Sequence, residues 1–183
     1  MEIEYRLARL EDIPELERLI PLSARILQSR HYSPAQLEGA IGTVFGVDSQ
    51  LIKDGTYYVA LAEGGIVGCG GWSRRKTLYG GDGGRKGDDP LRDPRVDPAM
   101  IRAFFVHPDF ARRGIGRTLL QLSENGAAGA GFTSIEIVAT LAGEPLYGAG
   151  GYITVERYDI PLVNGLMLPV VRMKKAAQSV RRT

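Results

Sequence analysis

What the chain lacks narrows its class first. Of 183 residues only Cys69 is a cysteine, so no intrachain disulfide is available and a reducing, cytoplasmic setting is expected. No apolar run approaches the roughly 20 residues of a spanning helix, and the opening "MEIEYRLARLEDI" lacks the basic-then-apolar order of a secretory signal. No membrane association is therefore expected. Charge of one sign is also missing: 23 basic against 21 acidic residues leave a net +2, which gives no electrostatic footprint for nucleic acid. No internal repeat is visible. What is present, 44% hydrophobic and 24% charged residues, suits one globular domain with a sizeable core, taken as residues 1–175. The remaining 176–183 form a tail that ends the stretch "RMKKAAQSVRRT", whose five basic residues face no acidic one, a composition that is ordinarily solvated.

Hydrophobic period gives the order of elements. Ile3, Tyr5 and Leu7 alternate as a strand, and Asp12 with Glu15 reads as an N-cap and its partner before a helix whose apolar face is Ile13, Leu16, Leu19 and Ile20. "SPAQLEGAI" announces a second helix, with Ser33 as cap, Pro34 at the first helical position and Gln36 bonding back. "TYYVALAEGGIVGCGGW" reads as two strands joined at Glu63-Gly64-Gly65. Residues 80–98 are too polar and too rich in Gly and Pro to be core, and are expected as a long surface loop. Strand four is "MIRAFFV", stopped by Pro108; a helix from about Gly114 to Ala128 follows, with Ile115, Leu119 and Leu122 on one face. "SIEIVA" is strand five, a short helix covers Leu146 to Ala149, and "YITVERYDI" and "LMLPVVRM" flank the hairpin signal Asn164-Gly165.

One stretch carries chemistry. "DFARRGIGRTLL", residues 109–120, crowds Arg112, Arg113 and Arg117 around the first turn of a helix, where unbonded amides and the helix dipole already attract an anion. Extra cations there are unfavourable for an isolated helix and favourable if a multiply charged phosphate sits on it, with Gly114 and Gly116 allowing close approach. The spacing is neither Gly-x-x-x-x-Gly-Lys-Ser/Thr nor Gly-x-Gly-x-x-Gly after an early strand.

In context, "FFVHPDFARRGIGRTLL" resembles the acetyl-CoA-binding motif of the GNAT acetyltransferase superfamily. "YRLARLEDIPEL" is similar to the family's opening strand and helix, and "LYGAGGY" to its late Tyr-x-x-x-Gly-aromatic element. The resemblance implies an α/β fold of the α+β type: a single-domain, GNAT-like mixed, twisted sheet of about seven strands flanked by helices, with strands four and five splayed. It implies acetyl-CoA as cosubstrate, backbone contacts to the acetyl-pantetheine from Phe104, Phe105 and Val106, and pyrophosphate contacts from Arg112, Arg113, Gly114, Ile115, Gly116 and Arg117. Two positions depart from the pattern: Ala111 stands where the family prefers Gln or Arg, and Thr140 where many members carry Asn.

The implied activity is transfer of an acetyl group to a primary amine of a small molecule or a protein side chain, by direct attack on the thioester. Its alternative is a non-catalytic CoA-binding sensor or interaction module of the same fold. Tyr147 is the expected acid for the leaving thiolate. For the base, the register of a common subgroup lands on Ile135, and Glu136, one residue away, points to the other face of the strand. His107 precedes a proline at a strand end, where solvent-facing histidines are common, and His31 with Tyr32 borders the region where this family admits substrate. Asp82, Asp88, Asp89, Asp93 and Asp97 do not have the spacing of a calcium loop, and no metal is expected. Arg74 and Arg75, behind Trp72, either line an acceptor entrance or cap the surface. Homodimers are common in such families, but no sequence feature marks an interface.

Overall fold

Seven short β-rich segments, some alternating and some apolar throughout, and 3.6-residue periods between them build one sheet with helices on both faces. In the computed structural model, which describes residues 1–177, the elements are β1 (Glu4–Leu7), α1 (Ile13–Leu27), α2 (Pro34–Ala40), α3 (Ser49–Lys53), β2 (Tyr57–Ala62), β3 (Gly65–Ser73), β4 (Ala99–Val106), α4 (Ile115–Gly129), β5 (Ser134–Thr140), α5 (Glu144–Ala149), β6 (Ile153–Pro161) and β7 (Met167–Ala176). Residues 178–183, most of the expected basic tail, lie outside the described residues. The sheet order is β1-β2-β3-β4-β5-β7-β6, antiparallel except for the parallel β4–β5 pair. The fold is thus the mixed seven-stranded α+β sheet expected.

Period 2 explains the two cores. Tyr57, Val59, Ile66 and Cys69 face α1 and α2, packing with Leu16, Leu19, Ile20 and Leu37. Ala60, Ala62 and Val67 turn to α4 and meet Ile115 and Leu119. In β5 the buried Ile135, Ile137 and Ala139 join Leu120, Tyr147 and Tyr152. On α4 it is Leu120 rather than Leu122 that completes the buried face with Ile115 and Leu119.

Local chemistry departs from the sequence reading in four places. Ser33 caps α2 as expected, its hydroxyl accepting from the Gln36 amide while Gln36 reaches back. Asp12, in contrast, does not cap α1: its carboxylate accepts from the Arg9 amide and both Arg6 guanidinium nitrogens, and Glu15 reaches across to the Ile66 amide at 2.6 Å. The Arg6 guanidinium holds the Asp12 carboxyl below its usual range. The Asn164-Gly165 hairpin is not a two-residue turn. Leu162 and Leu166 close a three-residue loop in which Gly165 (φ +83°) takes the left-handed position. Helix α3 was not anticipated, although Asp48 supplies an ordinary capping signal, accepting from the Gln50 amide.

The fourth departure is the stretch 80–98, which is more than a surface loop. Its start wedges under residues 42–47, with Gly81 buried and the Gly81 and Asp82 amides donating to Thr43 and Val47 carbonyls. Beneath it the carboxylate of Asp48, 1% exposed, accepts from Arg102 (2.9 Å) and Arg85, and Arg102 also donates to the carbonyls of Thr77 and Gly80. Arg102 is the largest fully buried side chain, and the sequence showed it only as one cation inside an apolar strand.

Strands four and five are splayed, as the fold class required. They pair only at Ala99–Ile135 and Met100–Glu136, although β4 continues to Val106 and β5 to Thr140. A bulge marks the parting: Cys69 pairs with Phe105 and Gly71 with Arg102, so Ala103 and Phe104 together oppose Gly70. Ala103 is left-handed at φ +56°, and the Phe104 ring lies so close over Gly70 that a β-carbon there would come within 2.7 Å of it.

Candidate functional site

The parting of β4 and β5 opens a cleft of about 1060 Å³ that passes through the sheet from the start of α4 to the C-terminal turn of α1. Its end at the start of α4 is made of backbone. Arg112 (φ +64°) and Gly114 (φ +84°) are both left-handed, turning successive amides the same way into a concave nest. The amides of residues 112–117 have no protein acceptor among the described residues; the first to find one is Thr118, bonded to the Gly114 carbonyl. Glycine fits position 114 because a left-handed L-residue there costs about 1 kcal/mol.

The side chains around the nest do not all converge. Arg112, Gly114, Ile115, Gly116 and Arg117 line the cleft, and Arg112 and Arg117 are exposed with no carboxylate partner among the described residues. The Arg113 guanidinium instead stacks on the Phe110 ring at 5.3 Å, outside the cleft. Ile115 is buried in the core, so only its backbone faces the nest.

Along β4 the edge facing β5 is unpaired from Ile101 onward. Phe104 presents its ring to the cleft, Phe105 packs its ring on Phe45 at 5.9 Å, and the Val106 amide donates to the Ser23 hydroxyl at 3.2 Å. The Ala103 carbonyl accepts from the hydroxyl of Tyr57 at 2.8 Å, a wholly buried phenol whose pKa burial drives upward. Sequence reasoning did not reach Ser23 or Tyr57, since neither belongs to a motif.

Tyr147 lies on α5 at the far wall, 4% exposed, its ring edge-on to Phe104 (6.1 Å) and Tyr152 (5.8 Å). Burial alone pushes its phenol above 10. Among the described residues no Asp, Glu or His lines the cleft. Glu136 sits on the opposite face of β5 from Ile135 and Ile137, near Arg172 at 3.5 Å. His107 accepts from the Asp109 amide through Nδ1, capping the turn 108–110, and His31 is exposed outside the cleft. Next to it, the Tyr32 hydroxyl donates to the Pro169 carbonyl (2.6 Å) and accepts from the Leu141 amide (3.0 Å). The loop carboxylates are mostly internal acceptors: Asp82 from Ser49, Asp89 from Thr77, Asp93 from Arg95, Asp97 from Asp93. Arg75 pairs with Asp54 at 2.7 Å, and Arg74 lies over the Trp72 ring; neither lines the cleft.

This geometry agrees with the comparison that decides the family. The acetyltransferase (GNAT) domain model matches residues 53–154, from just before β2 through the nest and Tyr147 to the start of β6. The chain belongs to the GNAT acetyltransferases. Solved GNAT structures share its fold over nearly the whole length. A GCN5-related N-acetyltransferase from Rhodopseudomonas palustris is 22% identical, with 96% of each chain covered and a TM-score of 0.71. The PaiA N-acetyltransferase of Thermoplasma acidophilum, solved with coenzyme A, is 15% identical over 96% of this chain and 99% of its own, TM-score 0.65. The putative acetyltransferase YncA of Salmonella typhimurium, solved with acetyl-CoA, is 16% identical over 100% and 98%, TM-score 0.63. No curated protein matches the sequence. At the two positions departing from the GNAT motifs, Ala111 ends the 108–111 turn through its amide, and the Thr140 hydroxyl accepts from the Gly143 amide at 3.1 Å, bracing the turn into α5. Among the described residues no helix is long and apolar enough to cross a membrane, and no cluster of three or more His, Cys, Asp or Glu has a metal-binding arrangement.

Proposed function

We propose that the protein takes acetyl-CoA as cosubstrate and transfers its acetyl group to a primary amine of a small molecule or a protein side chain, by direct attack on the thioester. The observation that carries this reading is a nest of six acceptorless amides, flanked by Arg112 and Arg117, opening onto a cleft that ends at an unpaired strand edge and a buried phenol. Amides 112–117 and the two guanidinium groups suit a diphosphate, as point donors backed by charge. The backbone of Phe104, Phe105 and Val106 supplies the edge on which an extended amide-bearing arm adds like a short strand, the arm displacing the Ser23 hydroxyl from the Val106 amide. Arg113 contributes its amide, its side chain being held on Phe110.

Tyr147 then acts as the acid. As the amine nitrogen bonds to the acetyl carbon, the C–S bond breaks and the phenol gives its proton to the sulfur. Burial makes that proton harder to lose, but the thiolate is born in the same dry site and is made more basic by it, so the two effects offset. Water carries the proton lost by the amine back to the Tyr147 phenolate, restoring the acid, since among the described residues no carboxylate or imidazole lines the cleft. Rate should therefore rise with pH as the acceptor amine loses its proton and level off above that amine's pKa, with no fall from Tyr147 ionising at higher pH. The single buried Cys69 suits the cytoplasm.

The test is thiol release from acetyl-CoA across a panel of amines, with Tyr147→Phe alongside. A fall in kcat of roughly a hundredfold with CoA affinity kept supports the assignment. Equal loss of both contradicts it, and tight CoA binding without turnover of any amine returns the sensor reading.

A further inference from the structure

The half of the cleft away from the nest holds an unanswered polar group. Gln28, at the C-terminal end of α1, is 7% exposed and lines the cleft; among the described residues its buried Oε1 has no hydrogen-bond partner. A buried primary amide left so is costly, and such groups are normally satisfied by a ligand or water. Ile26, Leu27, Phe45 and Leu168 line the same cleft, and so does Arg30, an exposed side chain with no carboxylate partner among the described residues. Arg102 also reaches this wall, but Asp48 and the Thr77 and Gly80 carbonyls occupy its donors.

Resting on the acyl-transfer reading above, we infer that the acceptor is an α-aminoacyl compound, an α-amine beside an amide carbonyl, and that Gln28 recognises its amide. Three features converge. A cleft with no carboxylate among its described lining residues and the Arg30 guanidinium in that lining repels a second ammonium group, which sets polyamines and aminoglycosides aside. The Gln28 amide offers one acceptor and two donors, the complement of another amide. The absence of a carboxylate or imidazole in the lining favours an amine that sheds its proton unaided. An α-amine beside a peptide carbonyl titrates at about 7.7–8.0 and a lysine-type amine at about 10.4, so at pH 7 the first presents about 300 times more of its neutral form.

The experiment uses the full-length protein, acetyl-CoA and five acceptors at pH 7: alaninamide, a hexapeptide with a free N-terminal alanine, Nα-acetyl-lysinamide, spermidine and kanamycin. A kcat/KM for alaninamide or the hexapeptide at least tenfold above the other three is expected. Turnover of alaninamide alone identifies a small acceptor, and turnover of both a peptide N-terminus. Preference for spermidine, kanamycin or the lysine amine overturns the inference while leaving acyl transfer standing, whereas no turnover of any of the five overturns both. Gln28→Leu should raise the KM for alaninamide about tenfold with CoA affinity unchanged, and Gln28→Glu should shift preference toward spermidine. An unchanged KM in Gln28→Leu removes Gln28 from the acceptor site, and the wild-type panel decides the acceptor class even if that variant fails to fold.

Discussion

Replacing Tyr57 by Phe should loosen the bulge that parts β4 from β5. The Tyr57 hydroxyl is wholly buried and donates to the Ala103 carbonyl at 2.8 Å, in the residue whose left-handed φ of +56° turns Phe104 toward the cleft. Removing the hydroxyl forfeits about 1 kcal/mol of net hydrogen bond and leaves a poorly solvated carbonyl, a further 1 kcal/mol or so. The bulge also stores about 1–2 kcal/mol of backbone strain in Ala103, which the lost hydrogen bond helped to hold. A total near 2 kcal/mol corresponds to a drop in Tm of about 4–8 °C for a domain of this size. Calorimetry measures that drop, and steady-state thiol release should show kcat/KM for acetyl-CoA reduced about tenfold. The decisive comparison is Ala103→Gly, which relieves the strain. If Tyr57 holds the bulge, the glycine should be worth more in the Tyr57→Phe background than in the wild type, by at least about 0.5 kcal/mol. Additive effects would mean that the phenol and the bulge are independent, and the reasoning would fail.

Other consequences are simpler to check. Arg112→Ala with Arg117→Ala should weaken CoA binding about a hundredfold at low salt and less at high salt, by isothermal titration at two ionic strengths; equal loss at both refutes a charge-based role. Asp48→Ala strands the buried Arg102 without its carboxylate and should cost about 3–5 kcal/mol in urea unfolding, and a loss below about 1 kcal/mol would show that the Arg85–Asp48–Arg102 cluster is not what holds residues 80–98. Burial pushes the Cys69 thiol up to about 12, so the native protein should not react with a chromogenic disulfide reagent until it unfolds, leaving thiol-release assays free of background. Rapid native labelling would contradict that burial.

The parts of this molecule legible in the sequence are those set by period and by local turn chemistry. Alternation, apolar runs and turn signals placed all seven strands, and the glycines and arginines of 112–117 marked the turn into α4, where left-handed residues and acceptorless amides leave a local trace. What escaped was long-range. Asp48 and Arg102 are separated by 54 positions and meet only when the residues leading into α3 fold onto the sheet. The cue to that meeting, an arginine inside "AMIRAFFV", reads as noise until burial is known. Asp12 looked like a cap but was claimed by Arg6 of the preceding strand, a competition that a helix pattern does not encode. Gln28 ends a helix like many glutamines, and only the folded structure shows that its buried Oε1 has no partner among the described residues.

Tyr32 fastens three walls with one oxygen: the turn after α1, the Pro169 carbonyl in β7 and the Leu141 amide just before α5. Whatever pushes on the first of these tugs the segment that carries the phenol of residue 147. A substitution that shifts the turn after α1 will therefore also shift the approach to α5, and the two segments cannot move apart while that single hydroxyl stays in place.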